Sequence, residues 1–506
     1  MLERISDRFL KYSLLVIFLF LSVISFVSTQ SCDAQMRDFS YIPIYNLPDN
    51  IFLHAAAVLL FGLVWAMLQR RSAQFGKMWQ KYRHLTRILL TVIMILLAWS
   101  IHHDGTREPY GDQAQVYGAA MYFNSGLFVQ LSPGGYLDMY PQQLGYVLLL
   151  QLIFALTRVS SFQMIQVLNC ICAGCIAYGI CLLADSLTDD ALQQFCCTIV
   201  IYGCLPLYLF PAFVYGDIPS LAFAVYFLYH MVRALQTGRI RHFILSAADL
   251  CLAVLLKKNA LILLIAAALI LLLRVIATRK KRYLALLIGL CALPFLSLTA
   301  VEKHYEQVSG YASTGGIPAI AWITMGTIEQ NAPGWFNNYA APLYNENNCD
   351  SRETSARAVE KLKERVSYFA ENPVYALSFW KRKVCTQWND PFYHSDELLY
   401  LNTGEPPRGI TAFLLAHKSG IRILLSLGQN LVYLGLLFYF LFRDNRDKPE
   451  RLLPELCLLG GFLFSLIWEA NSRFILVYFV ISLPLSFTGW QMILHRLETL
   501  SFRTKQ

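Results

Sequence analysis

The sequence predicts an all-α polytopic membrane protein, with about 12 transmembrane helices, juxtamembrane helices and one large external loop. Three observations carry this. Apolar residues make up 56% of the 506 and charged residues only 15%, against roughly 45–50% and about 25% in soluble domains. Mean hydropathy is +0.45. The apolar segments are continuous rather than alternating, which excludes a membrane β-barrel. Each must therefore close its backbone hydrogen bonds within itself, as a helix does. The same composition excludes a disordered chain, a disulfide miniprotein, a coiled coil and a soluble enzyme. The net charge of +9 needs no nucleic-acid partner, because membrane proteins concentrate Lys and Arg in cytoplasmic loops.

A span needs roughly 20 apolar residues. Such stretches lie near 12–29, 50–68, 87–101, 163–184, 191–212 and 217–234, then 242–256, 259–275, 283–300, 421–442, 452–468 and 473–490. The first is long and lacks a small-x-small cleavage site, so it reads as an anchor and not a signal peptide. Loop 69–87 holds Arg70, Arg71, Lys77, Lys81, Arg83 and Arg87 with no acid. Segments 232–241 and 274–282 are also basic and acid-free. All three should be cytoplasmic. Loops 30–49 and 102–141 are acid-rich and should be external. An even number of crossings must then separate loop 69–87 from 232–241. A further apolar stretch, 142–157, breaks that parity and reads as a juxtamembrane or re-entrant helix. Both termini come out cytoplasmic. Asp185, Asp189 and Asp190 sit against this scheme, in a loop it places inside.

The chain thus divides into an N-terminal transmembrane domain (1–300) with an external loop at 102–162, an extracytoplasmic region (301–420) and C-terminal transmembrane helices (421–506). In the second part, Asp350 and Glu353 form a capping-box pattern. Val359, Leu362, Val366 and Phe369 follow at helical spacing, giving an amphipathic helix over 353–371. Segment 374–388 mixes Trp380 and Trp388 with Lys381, Arg382 and Lys383, as a helix at the membrane interface would. Cys172-Ala-Gly-Cys175 reads as packing within a span. Cys32, Cys349 and Cys385 lie outside the spans, and a Cys349–Cys385 bridge is open.

No P-loop, dinucleotide or HExxH motif is present. The informative residues are ionisable groups at helix ends on the external side: Asp112, Asp217, the turn Lys257-Lys258-Asn259, Glu469 and Arg473. Charges near a membrane tend to mark substrate paths, although each is also compatible with a solvated helix end. Lysines and an arginine there suit a lipid phosphate. A nearby carboxylate suits proton removal from an acceptor hydroxyl. A phosphate leaving group needs cationic stabilisation more than an acid. The set therefore fits sugar transfer from a polyprenyl-phosphate carrier.

These residues resemble the GT-C glycosyltransferases, in the bacterial branch related to protein O-mannosyltransferases and lipid A aminoarabinose transferases. Gly111-Asp112-Gln-Ala-Gln-Val-Tyr-Gly-Ala-Ala120 resembles that superfamily's catalytic external loop. Tyr136-Leu-Asp-Met-Tyr140-Pro-Gln-Gln-Leu-Gly145 resembles its Tyr-Pro-x-x-Leu-Gly stretch, and Tyr215-Gly-Asp217-Ile-Pro219 its second acidic site. Lys257-Lys258-Asn259 and Glu469-Ala-Asn-Ser-Arg473-Phe resemble its late turns. The resemblance implies an inverting transferase with Asp112 as general base. It implies Tyr140, Asp217, Asn259 and Glu469 in substrate binding, and Lys257, Lys258 and Arg473 on the lipid phosphate. The expected partners are a polyprenyl-phosphate sugar, a glycan, lipid or protein acceptor, and the bilayer of a bacterial plasma membrane. Two features depart from the pattern. The spans 12–29 and 50–68 precede the usual start of the fold. Asp112 is followed by Gln113 where many relatives have Glu, so a divalent metal is possible but unsupported. His102-His103-Asp104 would offer substitute ligands. Two other readings stay open: a lipid-linked sugar flippase, expected to show repeats and helices broken at mid-membrane, and a glycan polymerase or ligase.

Overall fold

The computed structural model describes residues 2–32, 44–70, 72–103, 108–404, 406–444 and 449–503. Asp104 and Arg71, singled out above, lie outside them. The architecture is an all-α bundle. α1 (Leu2–Val27) and α2 (Ile51–Arg70) are joined through a hairpin of β1 (Ser28–Cys32) and β2 (Ile44–Pro48), paired antiparallel with Ser28 opposite Pro48. α3 (Ser72–His102) leads to the stretch with α4 (Gly111–Asn124), α5 (Tyr136–Met139) and α6 (Leu144–Thr157). α7 (Phe162–Leu187), α8 (Ala191–Tyr202), α9 (Pro206–Leu209), α10 (Asp217–Thr237), α11 (Ile240–Leu256), α12 (Leu261–Thr278) and α13 (Lys281–Ser309) complete the first bundle.

The next region carries α14 (Ala319–Met325), α15 (Ala340–Glu346), α16 (Ser351–Glu371), α17 (Pro373–Trp388), α18 (Ser395–Asn402) and α19 (Gly409–Ala416). α20 (Lys418–Phe442), α21 (Pro449–Ile467) and α22 (Leu476–Arg503) close the chain. α10 packs on α11 and α7, α20 on α22, and α1 on α20, so the extra N-terminal helix binds the C-terminal part of the bundle.

Among the described residues, nine helices are long and apolar enough to cross a membrane, or up to 11 if each of two bent pairs is one span. Each expected crossing falls on a helix or a bent pair. α11, at 17 residues, is slightly short. α21 carries Glu450, Arg451 and Glu455 near its start, which dilute its apolar character. The 142–157 stretch belongs to a pair bent by 100° at Tyr140, the geometry of a broken or re-entrant element. Asp185 also acquires a physical reason. It grips the fully buried Arg87 of α3 in two hydrogen bonds of 2.7 and 3.0 Å, so its charge is spent inside the bundle.

In the 301–420 region the amphipathic helix forms as α16, with Asp350 accepting from the Arg352 and Glu353 amides. The next helix forms as α17, yet Lys383 differs from the expected interface cation. Its side chain is fully buried and its ammonium donates to the Gly326 carbonyl. Helix periodicity turns Lys383 inward while Lys381 and Arg382 face out. Cys349 and Cys385 are both free, because one ends the loop after α15 and the other is buried on α17.

Candidate active site

Five ionisable candidates converge where α4, α10, α11 and the turn before α22 meet. Two close approaches build this meeting point. A Cβ on Gly145 would lie 2.0 Å from the Leu255 carbonyl oxygen, and one on Gly216 would lie 2.2 Å from that of Leu256. Only glycine lets the Tyr140–Gly145 and Tyr215–Asp217 segments rest on the last backbone carbonyls of α11. Lys257 follows directly, as the residue that ends that helix.

The Lys257 ammonium pairs with the Asp217 carboxylate. It also lies 5.7 Å from the Tyr215 ring centroid and 5.1 Å from that of Phe474. The Arg473 guanidinium lies 5.4, 5.9 and 5.1 Å from the rings of Phe213, Tyr215 and Phe474. Its charge is balanced by Asp217, Glu469 and Asp112. Arg473 Nε and Asp217 Oδ2 are buried without a hydrogen-bond partner among the described residues. Two polar atoms are thus left unspent at one point.

Asp112 lies in the first turn of α4, and Tyr110 is the N-cap, with no side-chain capping bond. Asp112 therefore does not cap the helix. The Tyr136 hydroxyl donates to its carboxylate and stands 3.1 Å from the Tyr215 hydroxyl. Crowding by protein pushes the Asp112 pKa up, opposed by Arg473, Tyr136 and Lys257. The residue is exposed, so water tempers that rise. The helix dipole alone would have favoured the ionised form; the structure tips the balance the other way. Burial also moves Glu469 up to about 7, against the pull of Arg473, and Lys257 down to about 8, against that of Asp217. Lys383, held at about 7 by burial, is a further charge neighbour of Glu469.

The Tyr140 ring lies tilted against those of Tyr136 (4.8 Å between centroids) and Trp322 (5.9 Å), with Asp112 and Glu469 as its charged neighbours. Asn259 lines the cleft described below. Lys258 stands apart. It is exposed, and its charged neighbour is Glu302 of α13. Consecutive residues in the 3₁₀ turn after α11 point in different directions, so sequence adjacency misled.

Gln113 is buried and bridges three segments. Its carbonyl oxygen accepts from the Val214 amide at 2.8 Å and its amide donates to Asn402 at 3.1 Å. A glutamine satisfies both partners; an ionised glutamate, which only accepts, satisfies one. The residues do not fit a divalent metal. Asp217 is engaged by Lys257, Asp112 faces Arg473 and Lys257, and the His102 ring is held 2.8 Å from the Tyr208 carbonyl. Among the described residues no three His, Cys, Asp or Glu gather as ligands.

A narrow cleft runs from this cluster between α10, α12 and α22. Asp217, Lys257 and Arg473 form its charged end. Leu221, Ala224, Leu263 and Val477 form an apolar wall. Sequence patterning missed Tyr136, Phe213, Phe474 and Lys383. The first three read as ordinary aromatic neighbours of the motifs, and Lys383 as one of three adjacent cations.

Residues 141–298 match the family model described as dolichyl-phosphate-mannose-protein mannosyltransferase. That segment contains Gly145, Gly216, Asp217, Lys257 and Asn259; Asp112, Glu469 and Arg473 lie outside it. No curated protein matches the chain. The matched segment and the all-α, multi-span architecture together support a membrane glycosyltransferase of GT-C type.

Proposed function

We propose that this protein moves a sugar from a polyprenyl-phosphate donor to an acceptor hydroxyl at the outer face of a bacterial plasma membrane. The observation that carries the reading is the cleft with Arg473 and Lys257 at one end and membrane-helix side chains along its wall. A phosphate at the charged end would meet the unspent Arg473 Nε, and an isoprenoid chain would lie along Leu221, Ala224, Leu263 and Val477. Asp112, beside this end, takes the acceptor proton. The acceptor oxygen attacks the anomeric carbon opposite the phosphate, and the lipid phosphate leaves with its bonding pair, so the anomeric configuration inverts. Lys257 and Arg473 stabilise that leaving charge, a role for which fixed cations in a dehydrated site are effective. Glu469 and Tyr140 line the side of the site that would face the sugar or the acceptor. Asp217 keeps Lys257 charged and in place.

The test supplies radiolabelled polyprenyl-phosphate sugars to membranes with and without the protein. Transfer of label to polymer, lipid-linked glycan or protein supports the reading and names the acceptor class. Label that crosses the bilayer but stays on its carrier would replace the reading with that of a flippase.

A further inference from the structure

The Arg473 guanidinium has aromatic rings and distant carboxylates around it. Its aim therefore depends on the turn Ala470–Phe474 that carries it. That turn is clamped from two sides. On one, the Ala470 amide donates to the Gly334 carbonyl at 2.7 Å and Trp335 bridges to Ala470. On the other, the Ser472 hydroxyl donates to the Asp390 carboxylate at 2.6 Å. Asp390 is 3% exposed and also accepts from the Phe392 amide at 3.0 Å and the His394 amide at 2.8 Å. These bonds hold Tyr393 and His394 in the left-handed region, at φ 52° and 68°, a conformation costly for side chains with a Cβ. A buried carboxylate and two strained residues are expensive to keep. The loop keeps this shape at a cost, and its Asp390 carboxylate holds Ser472, the residue before Arg473.

Both clamps are met by the N-terminal hairpin. The Gln30 amide donates to the Asn389 carbonyl at 2.9 Å, and Asn389 Nδ2 donates to the Ser28 carbonyl at 2.7 Å. Ile44 of β2 packs against Ala332 and Trp335. The hairpin is delivered by α1 and α2, outside the segment that matches the family.

We infer that the hairpin β1–β2 and the Asn389–Ser395 loop form a buttress that positions Arg473 through Ser472, giving the two N-terminal helices a part in donor binding. This rests on the reading of Arg473 as a donor-phosphate residue. The experiment measures the Kd of the purified full-length protein for polyprenyl phosphate, together with Tm. Ser472→Ala removes the hydroxyl that Asp390 holds and weakens binding about tenfold, within what a hydrogen bond to a charged group supports. Ser472→Thr keeps a hydroxyl and restores most of the affinity. Asn389→Ala, which cuts one of the two hydrogen bonds at the hairpin end and leaves the Gln30–Asn389 backbone bond, shifts Kd in the same direction by a few-fold. In an Arg473→Ala background, Ser472→Ala has no further effect. If Arg473→Ala weakens binding but Ser472→Ala and Asn389→Ala do not, the buttress is refuted and the donor site stands. Additive losses in the double variant refute it as well. If Arg473→Ala itself leaves Kd unchanged, the donor-site reading falls and takes the buttress with it. Should Ser472→Ala fail to insert, Asn389→Ala and Ser472→Thr decide the question.

Discussion

Asp112→Asn separates chemistry from structure at one position. Asparagine keeps the size of the side chain and can still accept from the Tyr136 hydroxyl. It cannot take a proton. Loss of a general base typically costs about 10²–10⁴ in rate, or about 3–5 kcal/mol of barrier. The structure bounds the competing effect. A lost N-cap costs roughly 0.5–2 kcal/mol of stability, but the N-cap of α4 is Tyr110 and the Asp112 side chain makes no capping bond. Tm should therefore hold within about 1 °C, which in a chain of 506 residues corresponds to about 1 kcal/mol. The Kd for polyprenyl phosphate should hold or fall slightly, because the phosphate contacts assigned to Lys257 and Arg473 remain and one negative charge near the phosphate is gone. The assay is single-turnover transfer from a labelled polyprenyl-phosphate sugar at saturating donor. Transfer at near wild-type rate, with unchanged Tm, would refute Asp112 as the base.

Further outcomes follow from the same geometry. Arg473→Ala should raise the donor KM strongly, and Arg473→Lys should recover only part, because an ammonium cannot reproduce the planar fork stacked between Phe213, Tyr215 and Phe474; equal KM in all three proteins contradicts this. In the free enzyme Asp112 must be ionised and its pKa is raised, so donor kcat/KM should fall on the acid side above the ordinary carboxylate range. Lys257 sits at about 8, so its charge and the donor kcat/KM should fade as pH rises through that value. Lys257→Arg should remove this alkaline limb, and a wild-type profile flat to about pH 10 argues against the assignment. Gly145→Ala places a Cβ 2.0 Å from the Leu255 oxygen and must move backbone, costing at least about 1–3 kcal/mol; the measurable result is a lower Tm with weakened donor binding. On a background lacking the other exposed cysteines, Ser313→Cys should react with an impermeant thiol reagent from outside and Lys280→Cys should not, and the reverse pattern would invert the proposed topology.

The membrane class and the membrane-length helices were legible in the sequence, because a span must be both apolar and self-bonded, and both demands fall on one contiguous segment; the short helices α14, α15, α18 and α19 were not. The ionisable set was legible for a related reason: at the ends of apolar helices, Asp112, Asp217, Lys257 and Arg473 stand out against their surroundings. Which of these face one another was not. Lys257 and Lys258 are chemically alike and adjacent, yet one pairs with Asp217 and the other lies near Glu302; the turn after α11 decides, through close approaches of Gly145 and Gly216 from elements far away in sequence. The ionisation of Asp112 followed the same rule. A local helix dipole can be read from sequence, whereas crowding by Tyr136, Arg473 and the rest of the cluster exists only once the chain has folded. Lys383 shows the limit most plainly. In sequence it is one of three cations in a row, and only helix phase against α21 and the Gly326–Gly334 loop buries it beside Glu469.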